Sequence, residues 1–264
     1  MDTIEATRPG TRAPAGTDPA EWAVRVDLAA CYRLIAHYGW DDLIFTHISA
    51  RVPNSDHHFL INPEGFRFNE ITASNLLKID CDGKLVTPSP NKPIFAGFVI
   101  HSALHMSRDD AQCVLHTHTE ANIAVGAQEQ GLLPLSQFAM RFYNRVGYHD
   151  YEGPANDLDE RQRLIRDAAD HPLLVLRNHG ILAIGRSVAE AFVLQYYFER
   201  ASRTQLQIQI AAAAGAKIVM PSPETCAQAA RNYTQPNGKM RPSGAREWPA
   251  MVRLVEKLDP SYAT

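Results

Sequence analysis

Two short apolar runs that each end in histidine constrain the fold of this chain most strongly. The first is Val114-Leu115-His116-Thr117-His118, and the second is Leu174-Val175-Leu176-Arg177-Asn178-His179-Gly180. Short apolar runs of this kind are typical of buried strands. Residues i and i+2 of a strand share a face about 6 to 7 Å apart. His116 and His118 can therefore approach one metal ion, with His179 as a third candidate ligand. A packed or surface histidine pair remains the alternative at this point.

Composition limits the classes of protein to which the chain can belong. With 264 residues, 45% of them hydrophobic and 21% charged, it can bury one sizeable core. A net charge of -3 creates no field that would collect nucleic acid or anionic lipid, so neither is expected as a partner. The four cysteines have no C-x-x-C spacing, and the first 20 residues lack the regions of a signal peptide. These features predict a cytoplasmic protein that does not span a membrane.

Helical and strand patterns alternate along the chain. Helices are predicted over residues 28–35 (closed by Gly39), 95–106, 159–169 and, from a Ser187/Glu190 capping box, to about 214. Strands are predicted over 47–52, 58–61, 78–80, 173–176 and 181–184, with a hairpin turn at Asp82-Gly83. Strands that alternate with helices and also pair through hairpins predict an α/β fold with helices on both faces of a mixed sheet.

The same pattern predicts three segments. Residues 1–20 are expected to be a flexible leader, and residues 21–215 to be one domain. Residues 216–264 combine Pro- and Gly-containing breaks with short helical pieces such as 251–258. We expect this last segment to be an extension that packs on the core or on a neighbouring subunit.

Five motifs in a fixed order resemble the class II aldolase/adducin head family. They are Thr46-His47-Ile48-Ser49-Ala50-Arg51, Leu60-Ile61-Asn62-Pro63-Glu64-Gly65, Ile71-Thr72-Ala73-Ser74, His116-Thr117-His118 and Arg177-Asn178-His179-Gly180. The resemblance covers about residues 22 to 214. It is closest to an adducin-like bacterial branch, which also carries Tyr148-His149-Asp150-Tyr151-Glu152-Gly153.

The resemblance implies a three-layer α/β/α sandwich around a mostly antiparallel central sheet. It also implies a homotetramer with the active site near a subunit interface and a small-molecule substrate. His116, His118 and His179 fall on the three metal-ligating histidines of the family. Zn2+ is the expected metal, and Fe2+ is the alternative because imidazole suits both ions.

Departures from the family pattern change the expected chemistry. The glutamate that acts as acid/base in the sugar-phosphate aldolases corresponds to Gly97, 19 residues before His116, and glycine cannot move a proton. Positions of the phosphate pocket correspond to His47, Glu64 and the Phe95-Ala96 pair. A carboxylate repels a phosphate and Phe-Ala offers it no donors, so we expect an unphosphorylated substrate, with His47 and Glu64 as substrate-binding residues.

Two sets of side chains are candidates for the missing acid/base function. Tyr143 and Tyr148 are predicted to be catalytic, with Tyr151 nearby, because the interface tyrosine of the family falls near Gln137 or Phe138. Packing is the alternative for each tyrosine. His101 and His105 lie one helical turn apart and could orient the metal ligands, although a packed or solvated helix face is the simpler interpretation.

Three functions are compatible with these residues. The first is a metal-dependent carbon–carbon lyase, and the loss of the glutamate favours decarboxylation over aldol cleavage because no C–H proton is removed. The second is a non-haem Fe(II) oxygenase of aromatic metabolism that uses the same three histidines. The third is a non-catalytic, adducin-like interaction module, against which the three converging imidazoles argue.

Overall fold

A computed structural model describes residues 13–55, 58–153, 160–234 and 244–264. Its strands are β1 (His47–Arg51), β2 (His58–Ile61), β3 (Leu77–Asp80), β4 (Cys113–Thr117), β5 (Val146–His149), β6 (Leu173–Leu176) and β7 (Gly180–Gly185). Its helices are α1 (Pro19–His37), α2 (Phe95–Ser107), α3 (Glu120–Gly126), α4 (Gln137–Met140), α5 (Glu160–Ala168), α6 (Val188–Ala213), α7 (Pro223–Thr234) and α8 (Trp248–Leu258). Helical turns of the 3-10 type cover Phe68–Glu70 and Pro260–Ala263.

The seven strands form one sheet in the order β3-β2-β1-β4-β7-β6-β5. Every neighbouring pair is antiparallel except β5 and β6, which are parallel. Helices α1 and α6 pack on one face of the sheet, whereas α2 and α5 pack on the other. The predicted α/β sandwich with a mostly antiparallel sheet is therefore confirmed.

Alternation along β1 and β4 decides which side chains face which helices. Ile48 and Leu115 belong to the core beneath α1 and α6, and Val114 belongs to the core beneath α2 and α5. Because side chains alternate between the faces of a strand, His47 and His116 lie on the α2 side. These two histidines are direct cross-strand partners in the antiparallel register.

Several predicted element boundaries shift in the structure. The first helix starts at Pro19, because the Asp18 carboxylate caps it by accepting a hydrogen bond from the Ala20 N–H at 2.9 Å. The predicted hairpin turn at Asp82-Gly83 is present, because Ile79 of β3 pairs with Leu85 in an antiparallel bridge and the Asp80 N–H donates to the Lys84 carbonyl oxygen at 3.0 Å. Four elements were not predicted: β5, α3, α4 and α7. Three of them are short, and β5 contains a glycine that breaks its apolar pattern.

The end of the chain folds back onto the first helix. In α8, Trp248, Val252 and Val255 are buried in the same core as α1, and the indole N–H of Trp248 donates to Asp27 at 3.0 Å. None of the helices in the described ranges is long and apolar enough to cross a membrane.

Candidate metal centre

The three predicted ligands meet at one end of the central strands. His116 lies in β4, His118 follows that strand directly, and His179 lies in the turn between β6 and β7. The ring centroids are 4.6 to 4.9 Å apart, and one ring nitrogen from each lies within 4.8 Å of the other two. We call these three residues the histidine triad.

Hydrogen bonds at the far side of two rings fix their tautomers. Nδ1 of His116 lies 2.9 Å from the carbonyl oxygen of Ile181, and Nδ1 of His118 lies 2.9 Å from a carboxylate oxygen of Asp42. Both oxygens can only accept, so both Nδ1 atoms carry the proton. In the neutral rings the lone pairs are then on the Nε2 atoms, which lie 2.9 Å apart. Two lone pairs at this distance repel each other unless a cation lies between them, so the donor set fits a divalent metal.

Close packing of the β6–β7 turn brings His179 to the triad. Asn178 has a positive φ of 60°, a conformation that asparagine tolerates better than most residues. A Cβ atom at Gly180 would lie 2.3 Å from the Thr117 carbonyl oxygen and 3.1 Å from His118 Cδ2. Any side chain at position 180 would clash with the Thr117 carbonyl oxygen, so the residue after His179 has to be glycine.

The space beside Gly97 is filled by His47. A Cβ atom at position 97 would lie 2.9 Å from Cγ of His47 and 3.0 Å from its Cδ2. The ring of His47 is 2% exposed, and its centroid lies 4.9 Å from that of His116. An imidazole thus lies beside the triad, in the space next to the backbone of Gly97.

His47 is the first member of a buried hydrogen-bond chain that runs away from the triad. Its Nδ1 lies 2.8 Å from Nε2 of His101, and Nδ1 of His101 lies 2.6 Å from the hydroxyl oxygen of Ser49. The same hydroxyl lies 2.6 Å from Nε2 of His105, whose Nδ1 ends the chain 2.7 Å from the Ala111 carbonyl oxygen. We call His47, His101, Ser49 and His105 the histidine relay.

One carbonyl group sets the direction of every bond in the relay. Because the Ala111 oxygen only accepts, His105 carries its proton on Nδ1 and accepts at Nε2 from the Ser49 hydroxyl. Ser49 has a single proton, so it must accept from Nδ1–H of His101. A neutral His101 then accepts at Nε2 from Nδ1–H of His47. The consequence is a neutral His47 whose Nε2 carries a lone pair.

Burial keeps these rings neutral. Desolvation holds the pKa values of His47, His101 and His116 well below the ordinary value, and neighbouring histidines lower them further. The same cause lowers the pKa of His105 to about 4 and that of His179 to about 4. Neutral imidazoles are the form that binds a metal and the form that the relay requires.

The other predicted site residues lie away from the triad. Glu64 is exposed, and its N–H donates to the Lys92 carbonyl oxygen at 2.8 Å. Tyr143 and Tyr148 line a separate cavity of about 210 Å³. The hydroxyl of Tyr148 accepts from the Leu132 N–H at 2.9 Å, and burial raises its pKa. Tyr151 lies nearer, with its ring centroid 6.3 Å from that of His179.

Sequence reasoning did not find two parts of this site. Asp42, which holds His118, lies in an irregular loop where no pattern marks it. The relay left a weak signal, since His47 and Ser49 have strand spacing and His101 and His105 have helical spacing. Only the pairing of β1 with α2 brings these two spacings together.

Comparisons with known proteins identify the family to which the chain belongs. Residues 26–206 match the class II aldolase and adducin N-terminal domain. The "Putative aldolase class 2 protein" of Caulobacter vibrioides is 45% identical over 244 residues, covering 92% of this chain and 93% of the relative. The crystal structure of an aldolase II superfamily protein from Pseudomonas syringae has a TM-score of 0.85 and 47% identity, covering 94% of this chain and 98% of its own.

The comparisons also include an adducin. Alpha-adducin of Rattus norvegicus is 36% identical over 252 residues, which cover 91% of this chain but only 34% of adducin. The chain therefore belongs to the class II aldolase and adducin family, as its motifs predicted.

Proposed function

We propose that this protein is a metal-dependent carbon–carbon lyase that acts on an unphosphorylated carbonyl or carboxylate compound. His116, His118 and His179 would hold the metal, and Zn2+ is the ion that three neutral imidazoles favour. Once bound, such an ion acts as a Lewis acid and stabilises negative charge on a substrate oxygen. We further propose, in keeping with the family, a homo-oligomer as the working form.

The observation that carries this proposal is the ring of His47 in the space beside Gly97. In the tautomer that the relay imposes, Nε2 of His47 can accept a proton from a substrate hydroxyl. As that proton leaves, the adjacent carbon–carbon bond breaks to give a carbonyl product, and the electron pair stays on the second fragment. His47 can then return the proton to that carbon. The sequence favoured decarboxylation because no base was evident, and the placement of His47 makes aldol cleavage equally accessible.

The remaining polar groups support an unphosphorylated substrate. An arginine or lysine beside the triad would favour a phosphate, whereas the partners of the triad in the described ranges are a carbonyl group, a carboxylate, other imidazoles and the ring of Tyr151. Glu64, three residues after β2, is exposed, and we retain its proposed substrate-contact role.

The test uses the Zn2+-loaded, full-length protein with paired substrates. Unphosphorylated β-hydroxy carbonyl compounds and β-keto acids are compared with phosphorylated counterparts, and released aldehyde and CO2 are measured. We expect turnover of the unphosphorylated compounds, with kcat reduced about 100-fold or more by His47→Ala while zinc stays bound. The exposed His37 provides the matched control, since His37→Ala should leave kcat unchanged.

Four results would contradict the proposal. Preference for phosphorylated substrates would refute the substrate class, and full activity of His47→Ala would refute the role of His47. Oxygen uptake by protein loaded anaerobically with Fe2+, without cleavage by the zinc form, would identify the oxygenase instead. Failure to bind any metal would leave the non-catalytic interaction module.

A further inference from the structure

A second group of side chains with the donor atoms that metals prefer lies between the end of β5 and helix α5. His149 is the last residue of β5 and is 3% exposed. Three carboxylates surround its ring, from Glu152, Glu160 and Asp167. The sequence motif Tyr148-His149-Asp150-Tyr151-Glu152-Gly153 supplies two of these four residues and has no part in the proposed lyase reaction.

The hydrogen bond at Nδ1 leaves the other nitrogen of His149 without a partner. Nδ1 lies 2.8 Å from a carboxylate oxygen of Asp167, so it carries the proton in the neutral ring. Nε2 is buried and makes no hydrogen bond. It faces Oε1 of Glu160 at 3.5 Å and Oε1 of Glu152 at 4.0 Å. A nitrogen lone pair directed at two carboxylate oxygens is repulsive unless a cation lies between them.

These distances suit a metal ion better than direct hydrogen bonds. Zinc binds histidine nitrogen and carboxylate oxygen at about 2.0 to 2.2 Å, which places neighbouring ligands of a tetrahedral ion about 3.4 Å apart. The three ligand atoms all lie within 4.8 Å of one another. A hydrogen bond between nitrogen and oxygen would require about 2.7 to 3.2 Å.

The three carboxylates around His149 are only partly balanced by arginine side chains, which favours a bound cation. Arg163 pairs with Glu152 at 2.5 Å, and Arg166 pairs with Asp167 at 2.8 Å. Glu160 is 7% exposed, and in the described ranges no arginine or lysine forms an ion pair with it. Burial raises the pKa of Glu160, because desolvation outweighs the opposite influence of His149 and Arg163.

We propose that His149, Glu152 and Glu160 bind a second divalent transition-metal ion, of which Zn2+ is the representative. Asp167 is a positioning residue, because its hydrogen bond fixes the tautomer that points a lone pair at the ion. The ion connects the segment after β5 to α5. Tyr151 lies in that segment and contacts His179 of the triad, so the second ion stabilises one wall of the first site.

The test counts zinc ions per chain in the full-length protein after dialysis against buffered Zn2+. We expect two ions in the wild type, one in His118→Ala, one in Glu160→Gln and none in the double variant. In the His118→Ala background, Asp167→Asn should weaken binding at least tenfold. Glu190→Gln is the matched control for Glu160→Gln, since both glutamates lie in the first turn of a helix but Glu190 pairs with Arg186, and it should keep both ions.

Two outcomes would overturn the second site. Glu160→Gln could retain two ions, or the wild type could bind one ion while the 15N shifts of His149 show an imidazolium ring. The latter result would mean that a proton occupies the position assigned to the metal. If His118→Ala fails to fold, the comparison of wild type with Glu160→Gln still decides the matter. Because neither readout uses turnover, the result is independent of the proposed lyase activity.

Discussion

The histidine triad and the histidine relay use the same side chain for opposite purposes. In the triad, His116 and His118 each have an oxygen acceptor at Nδ1, so their Nε2 lone pairs converge. In the relay, one carbonyl group at the far end serves the whole chain, and each ring bonds to the next group. Rings that each have their own oxygen acceptor at Nδ1 leave their Nε2 lone pairs free for a metal. Rings that share one acceptor at the end of a chain must instead hydrogen-bond to one another or through Ser49.

The difference predicts where each region contributes. The triad lies at one end of the central strands, with the His118 side chain 18% exposed, and its ligands gain from a bound ion. The relay lies between β1 and α2, where His101 is fully buried and each polar atom depends on the next. We therefore expect substitutions in the triad to affect metal binding, and substitutions in the relay to affect the stability of the fold.

Two single substitutions, one in the triad and one in the relay, give the largest expected effects. His118→Ala should weaken zinc binding at the triad more than 100-fold, since even outer partners of metal ligands contribute about 10- to 100-fold. In EDTA, the same variant should change the free energy of unfolding by less than about 1 kcal/mol. His101→Ala should lower that free energy by about 3 to 5 kcal/mol, because it leaves a cavity and two unpaired polar groups. Urea unfolding and zinc titration measure the two effects.

His37→Ala is the control for both members of the pair, because His37 is exposed at the end of α1. It should change neither the affinity for zinc nor the free energy of unfolding. The distinction between the two regions fails if His101→Ala unfolds at the same urea concentration as the wild type, or if His118→Ala keeps its zinc at the triad.

The pH dependence of stability provides the second comparison. The pKa of His105 is about 4 in the folded protein because of desolvation, against about 6.5 in an unfolded chain. The unfolded state therefore binds the extra proton between pH 6.5 and 4, and stability falls as the pH falls through this window. Each such ring contributes about 1.4 kcal/mol per pH unit.

Urea unfolding of the metal-free protein between pH 7 and 4.5 measures this slope. His105→Gln should reduce it by about 1.4 kcal/mol per pH unit, because glutamine does not titrate. An unchanged slope in that variant would show that His105 takes up its proton over the same pH range in the folded and unfolded states, and burial would then not keep this ring of the relay neutral.

The sequence predicted the triad better than its surroundings, and the reason is local. His116 and His118 are two residues apart on one strand, and His179 ends a second apolar run, so short-range periodicity was enough. The fold class also followed from alternating strand and helix patterns. The parallel edge strand β5 did not, because its pairing with β6 depends on contacts more than 20 residues apart.

The relay could not be predicted because it depends on which helix covers which face of the sheet. His101 and His105 have the same spacing as any pair on a packed helix face. Their role depends on Ser49, whose hydroxyl lies within hydrogen-bond distance of both rings. Tyr143 and Tyr148 illustrate the reverse case, since nearness along the chain to Tyr151 does not bring them to the triad. Their catalytic role stays a prediction.

Ser49→Ala should produce the smallest of these effects and the most specific. The substitution removes the hydroxyl that donates to His105 and accepts from His101, leaving one acceptor and one donor unpaired in the core. The expected loss is about 1 to 3 kcal/mol in the free energy of unfolding. Ser102→Ala is the matched control on α2, because Ser102 is equally buried but makes only a 3.4 Å bond to the Val99 carbonyl oxygen.

The 15N shifts of the relay histidines show whether the serine acts as the structure indicates. In the wild type, His47, His101 and His105 should all carry the proton on Nδ1, in line with the single direction imposed by the Ala111 carbonyl. In Ser49→Ala, His101 loses its Nδ1 acceptor and is free to change tautomer, whereas His105 keeps its own. Equal stability of the two alanine variants, with unchanged shifts at His101, would mean that the relay does not set the tautomer of His47. The proton-accepting role of His47 would then need another origin.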